Sequence, residues 1–193
     1  MQNWLIPRLS KLTRAHPEIE IRLNVSYKEV DMIRDGISIA IRNDMFSPPQ
    51  DVIFQPLVKE EIGLVCSPEF ARRYRLKKVS DLEALPILMS KTRETIWSDW
   101  LSLHKQRFTL PRPVQAFDHF YLMIQAASCG MGAAVAPKMI VADEIEAGRL
   151  VAPFGFEAGP YNMVLWLAPQ VRTRPDHRLL VNWIRQEALL LLT

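Results

Sequence analysis

The sequence predicts an α/β fold. Several short runs alternate apolar and polar residues at the two-residue period of a half-buried strand, and between them apolar residues recur at helical spacing. Serine and aspartate caps, prolines and glycines punctuate the joins. The chain has 193 residues, 49% hydrophobic and 23% charged, enough to bury the core of one domain or of two small lobes. No internal repeat, low-complexity segment or flexible linker interrupts the pattern.

Taken in order, Trp4 to Ala15 carries Leu5, Leu9 and Leu12 on one helical stripe and is stopped by Pro17. In "IEIRLNV" (19–25), Ile19, Ile21, Leu23 and Val25 alternate with Glu20, Arg22 and Asn24, the pattern of a half-buried strand. Ser26 and Glu29 form a capping box for a short helix ending at Gly36. "ISIAIR" (37–42) is a further strand, followed by a Pro48-Pro49 loop and two β-rich runs, 52–58 and 61–66. Ser67-Pro68 opens a helix to about Tyr74, and Ser80 with Glu83 caps a single turn. Strands at Ile87–Met89, Val114–Phe117, Ala133–Ala136 and 161–168 alternate with helices at Thr95–His104, with Trp97 and Trp100 in the core, at His119–Cys129 capped by Asp118, and at Pro137–Ala147 ended by Gly148. The last helix, from Asp176, is expected to bury Leu179, Leu180, Trp183, Ile184 and Ala188. Strands separated by helices imply βαβ units and mainly parallel sheets.

Composition excludes several classes. The net charge is +3, no Lys/Arg run exceeds two residues, and the positives alternate with acids, the signature of a solvated surface rather than a nucleic-acid footprint. Two distant cysteines, Cys66 and Cys129, form neither a disulfide framework nor a metal cluster and suggest a reducing compartment. With neither a signal peptide nor an apolar run long enough to span a bilayer, the reading is cytoplasmic and soluble. "AASCGMGAAVAP" (126–137) places two glycines like a phosphate loop, but a helix enters them and a strand leaves. A dinucleotide loop needs the opposite order, so Gly130 reads as a helix terminator and Gly132 as room for a tight turn. Both cysteines read as buried packing residues, and neither His104 with Asp99 nor Asp118-His119 with a cysteine sits in a nucleophile or metal motif. Neither catalysis, a metal nor a cofactor is expected.

"WLIPRLSKLTRAHPEIEIRL", "VDMIRDGISIAIR", "LVCSPEFA", "FDHFYLMIQAASCGMGAAVAPKMIVADEIEAGRLVAPF" and "MVLWLAP", in that order, resemble the effector-binding domain of LysR-type transcriptional regulators, nearest the glycine-cleavage and β-lactamase regulator branch. The resemblance covers nearly the whole chain. It implies a two-lobed fold like the type II periplasmic binding proteins, with two crossover strands, an interlobe cleft, a first lobe of 1–62 plus 164–193 and a second of 63–163. It also implies that the family's winged helix-turn-helix, the strand before its first helix, and DNA recognition with them are absent from these residues. A small, anionic effector is expected in the cleft. A solute-binding protein of a transport system is the alternative.

The family's effector contacts map onto Ser26 and Tyr27 at one strand–helix turn, and onto Asp118, His119 and Phe120 at another. Asp31 matches a pocket acid and Tyr161 a pocket tyrosine, while Arg42 ends a strand where it can meet an anion bidentately. Plainer readings stand beside these. Ser26 and Asp118 serve as helix caps, Arg42 pairs with Asp44 or Asp31, Tyr161 packs at a hinge, and His119 lies on the surface. The resemblance further implies a homodimer in which the Trp4–Ala15 helix of one chain packs against the His119–Cys129 helix of its partner. Both helices are apolar over more than one face.

Overall fold

A computed structural model describes residues 2–26, 30–105 and 113–191. The chain divides into two compact units, Met1–Lys59 with Tyr161–Thr193, and Glu60–Pro160. Six helices and six strands are described: α1 (Gln2–Ala15), β1 (Ile39–Asn43), β2 (Ile53–Val65), α2 (Pro68–Arg73), β3 (Leu88–Ser90), α3 (Ile96–Leu103), β4 (Gln115–Phe117), α4 (Phe120–Ser128), β5 (Ala134–Pro137), α5 (Lys138–Glu146), β6 (Glu157–Leu167) and α6 (Pro175–Leu189). Strands β2 and β6 each contribute residues to both units, and the larger sheet runs β1-β6-β2-β5.

In the first unit, β1 pairs antiparallel with β6 from Ile39↔Leu167 to Asn43↔Met163. Asp44 extends this ladder: its carboxylate accepts the Asn162 backbone N–H at 2.8 Å and the Asn162 side-chain amide at 2.7 Å. One face of the pair packs Val164, Trp166 and Ala168 against Val30 and Met32. Helix α1 sinks Trp4 and Leu12 and leaves Ile6 exposed. Arg8 ties it to α6 through Glu187, 3.6 Å away.

The expected strand at 19–25 does not form. A strand exists only when its backbone groups find a ladder, and none of the described strands pairs with these residues, so Leu23 and Val25 stay half exposed. After Ser26, only a hydrogen-bonded turn over 32–36 is described in place of the expected helix. It ends, as expected, at Gly36 in the left-handed region (φ 65°). Tyr27 and Glu29, and with them the capping box, lie outside the described residues.

The second unit is built on β2, which is one continuous strand rather than two runs. Its last residues pair antiparallel with β5, while β3 and β4 pair in parallel. The described pairings are therefore mixed, not mainly parallel, because β2 and β6 meet β5 and β1 head to tail. Trp97 and Trp100 are fully buried on α3, and the Trp97 indole N–H is satisfied by the Leu88 carbonyl at 2.9 Å. Ser67 caps α2 by accepting the Phe70 N–H at 3.1 Å. The turn at Val79–Ala84 is capped by Asp81, which takes the N–H groups of Lys77 and Lys78, and not by Ser80 with Glu83. On α6 the buried stripe is Val181, Ile184 and Ala188, with Leu179, Leu180 and Trp183 half-buried at its margin.

The two glycines after α4 behave as their order in the sequence requires. Gly130 (φ 76°) terminates the helix. A Cβ on Gly132 would lie 2.8 Å from the Pro86 carbonyl oxygen, so only glycine lets the chain dive into the fully buried Ala134–Ala136. The cysteines part company. Cys66 is fully buried, and loss of solvation pushes its thiol up to about 12. Cys129, expected to be buried, is exposed, because the helix ends on the side facing solvent. A disulfide-exchange reagent at pH 8 is therefore expected to titrate one thiol in the native protein and two after denaturation. Replacing Cys129 by serine should abolish the native reaction, whereas two fast native thiols would contradict the burial of Cys66.

Candidate functional site

Two polar stations emerge, one in each unit. In the first, Arg42 leaves β1 with its guanidinium half-buried. Nη1 donates to the Ser26 carbonyl at 3.0 Å, and the guanidinium lies over the rings of Phe46 (4.8 Å) and Trp166 (5.4 Å). Desolvation lowers its pKa from the ordinary arginine value, yet a guanidinium keeps its charge in proteins. The Ser26 carbonyl and two aromatic faces thus hold the cation in place. Neither acid left open as its ion-pair partner takes that part: Asp44 is engaged by Asn162, and Asp31 accepts the Arg34 backbone N–H at 3.0 Å. Asp31 is exposed and organises its own turn. Tyr161 is half-buried at the start of the first-unit segment of β6. The structure thus brings Ser26 and Arg42 together. Tyr27 lies outside the described residues.

The second station forms where the parallel strands β3 and β4 end side by side, Ser90 level with Phe117, just before α4 begins. Asp118 does not cap α4. Its exposed carboxylate accepts from Lys91 Nζ at 2.9 Å instead, an arrangement that lowers the Asp118 pKa and raises that of Lys91. The N-cap residue is His119, extended and without a side-chain cap bond, its ring stacked on Tyr121 at 5.6 Å. Phe120 packs against the core. Strand ends beside a helix start are where α/β folds bind ligands.

Sequence reading missed the four residues of "SKTR" (90–93). Lys91 holds Asp118, the Ser90 and Thr92 hydroxyls lie 2.7 Å apart, and Arg93 is buried beneath them. Arg93 Nη1 donates to both Glu60 carboxylate oxygens at 2.8 Å, and Nη2 donates to Asp99 at 3.0 Å. The available signal was a polar run straight after an apolar strand. The triad also claims Asp99 for Arg93, while His104 faces Glu157 at 3.4 Å. Among the described residues no three His, Cys, Asp or Glu side chains gather as metal ligands.

Two lobes linked by a pair of crossover strands define the class: a ligand-binding domain of the type II periplasmic-binding-protein fold. The LysR substrate binding domain matches residues 1–189, and the chain belongs to that family. It is 31% identical over 189 residues to the HTH-type transcriptional regulator TrpI of Pseudomonas aeruginosa, covering 97% of this chain and 64% of that protein. It is 33% identical over 156 residues to the glycine cleavage system transcriptional activator of Escherichia coli, covering 79% of this chain and 50% of that one. The chain therefore spans less than two thirds of these curated relatives. The effector domain of AmpR of Pseudomonas aeruginosa matches with a TM-score of 0.78 at 25% identity, covering 97% of this chain and 90% of that domain. The family is that of a regulator's binding domain rather than an enzyme, and the transport alternative finds no support.

Removing Arg93 would leave Glu60, only 3% exposed, without its main counter-charge. Arg93→Ala is expected to cost about 3–5 kcal/mol in urea unfolding. A loss below about 1 kcal/mol would mean that the triad does not stabilise the second unit.

Proposed function

We propose that this chain is the ligand-sensing part of a LysR-type transcription regulator, and that it binds a small anionic metabolite. The observation that carries the reading is Arg42, a half-buried cation framed by Phe46 and Trp166 in a unit of ligand-binding fold. Ser26, Tyr27, Asp31 and Arg42 are the proposed effector contacts of the lobe formed by 1–62 with 164–193, and Tyr161 is a further proposed contact on the returning crossover strand β6. Asp118, His119 and Phe120 are those of the lobe 63–163. Sequence-specific DNA recognition belongs, in this proposal, to a winged helix-turn-helix elsewhere in the full-length protein, working in the cytoplasm. The names of the curated relatives, all HTH-type or transcriptional regulators, support that assignment.

We further propose that the domain forms a homodimer through α1 of one chain and α4 of the other. Each helix keeps apolar side chains at the surface after packing on its own unit: Ile6 on α1, and Tyr121 and Leu122 on α4. Large uncovered apolar residues on one helix face favour association.

Thermal-shift measurements against amino acids, mono- and dicarboxylates are expected to yield a stabilising ligand. Arg42→Ala should weaken it roughly 10- to 100-fold, the value of a charge-assisted contact of about 1.5–3 kcal/mol. Equal responses of wild type and variant to every hit would place the site elsewhere. Sedimentation velocity at micromolar concentration should show a dimer that Leu122→Glu converts to monomer. Leu122 is the residue to change, since Leu12 is buried in its own unit and its substitution would unfold the chain. A wild-type monomer would exclude this interface.

A further inference from the structure

The alternation of positive and negative residues fails most densely in one short window. Between Arg72 and Lys78, five of seven residues are cations and none is an acid. Arg72, Arg73, Arg75, Lys77 and Lys78 are all exposed. Among the described residues, no carboxylate forms an ion pair with any of these five side chains, whereas Arg22, Arg34, Lys91 and Arg149 each face one. The dipole at the end of α2 favours cations at Arg72 and Arg73. It accounts for none of the three that follow the helix.

The segment that carries them is firmly held. The Tyr74 ring meets Phe70 at a tilt, centroids 4.5 Å apart, and Tyr74, Leu76 and Val79 pack against the core of the second unit. Arg75 occupies the left-handed region (φ 52°), a conformation a side chain rarely adopts without something holding it there. The nearby acid, Asp81, gives its carboxylate to the backbone N–H groups of Lys77 (2.9 Å) and Lys78 (3.0 Å), bonds that lower its own pKa. Arg73 lies over the Tyr74 ring at 5.6 Å, and backbone anchoring leaves the other four side-chain charges to solvent. Five like charges at this density repel one another, a cost that the helix dipole offsets only at Arg72 and Arg73.

We propose that this patch binds the phosphate backbone of duplex DNA without reading its sequence. It would supplement the contacts that the full-length protein makes through its own DNA-binding part, and to that extent it rests on the reading above. Duplex DNA carries a charge about every 1.7 Å of its axis, a density that five cations in seven residues match. Three of the five are arginines, whose planar forks fit phosphate oxygens. An acidic protein surface fits less well. Protein interfaces depend on apolar or aromatic anchors, and here Tyr74 and Leu76 are turned into the core. Contacts to phosphate need no such anchor.

The test is fluorescence anisotropy of the 193-residue chain with a labelled duplex of about 20 base pairs and arbitrary sequence, over roughly 20–200 mM salt. Weak binding is expected at the lowest salt, with log K falling at a slope of about −3 to −4.5, equivalent to three to five phosphates, and vanishing at physiological salt. The triple variant Arg72→Glu, Arg73→Glu, Arg75→Glu should lose it. Lys105→Glu, Arg172→Glu, Arg178→Glu, which makes the same change in net charge away from the patch and from α1 and α4, should retain it. Thermal melts report whether each variant folds. Should the first fail to fold, Lys77→Gln with Lys78→Gln must reduce the slope by about two contacts. No wild-type binding at any salt, equal binding by both triple variants, or capture of poly-glutamate but not duplex would overturn the proposal. The effector response of Arg42 is measured on the same preparations, so failure of the patch and failure of the sensing function are told apart.

Discussion

The second unit depends on a charge kept out of water. Glu60, at the point where β2 enters that unit, is nearly inaccessible, and ionic groups in such places are tolerated only when every lone pair is answered. Arg93 answers both carboxylate oxygens and reaches on to Asp99, so one guanidinium joins a crossover strand, the turn after β3, and α3. Gly159 makes room: a Cβ there would stand 3.2 Å from Glu60 Oε2. The turn fixed in this way is the one that carries Lys91 to Asp118. A hydrophobic substitute could fill the same volume, but it could not define the same three-way geometry.

The two proposed stations use different physics. Arg42 is partly desolvated and flanked by π faces, so its charge is shielded from bulk water. Lys91 and Asp118 are exposed and attract each other only through a screened medium, which makes the pair easily rearranged. A rigid cation in one unit and an adjustable ion pair in the other is a division suited to sensing.

Where local rules govern, the sequence was a good guide. The serine cap before Pro68, the left-handed glycines at 36, 130 and 148, the tryptophans of α3 and the strand leaving Gly132 all follow from neighbours within a few residues. The resemblance supplied the lobed architecture, which periodicity alone cannot. Failures came where the outcome depends on residues distant in the chain. The alternation of 19–25 is real, but a strand needs a partner that local sequence cannot guarantee. Asp118 has the chemistry of a cap, yet a lysine 27 positions earlier takes it. Cys129 sits among small apolar neighbours, but its position on the turn decides its exposure. The Glu60–Arg93 pair bridges 33 positions and gives no local signal. The basic cluster at 72–78 was legible in principle, though only to a window count rather than a search for unbroken runs.

The stacking of Arg42 against Trp166 has an optical corollary. Indole emission is sensitive to a charge held near the ring, and Trp166 has the guanidinium 5.4 Å from its centroid while being only 2% exposed, so bulk quenchers scarcely reach it. An anion that drew the guanidinium away, or merely neutralised its field, would alter the colour and yield of that one fluorophore. The arginine proposed to capture the effector thus sits against an intrinsic dye, which would make occupancy readable without a label.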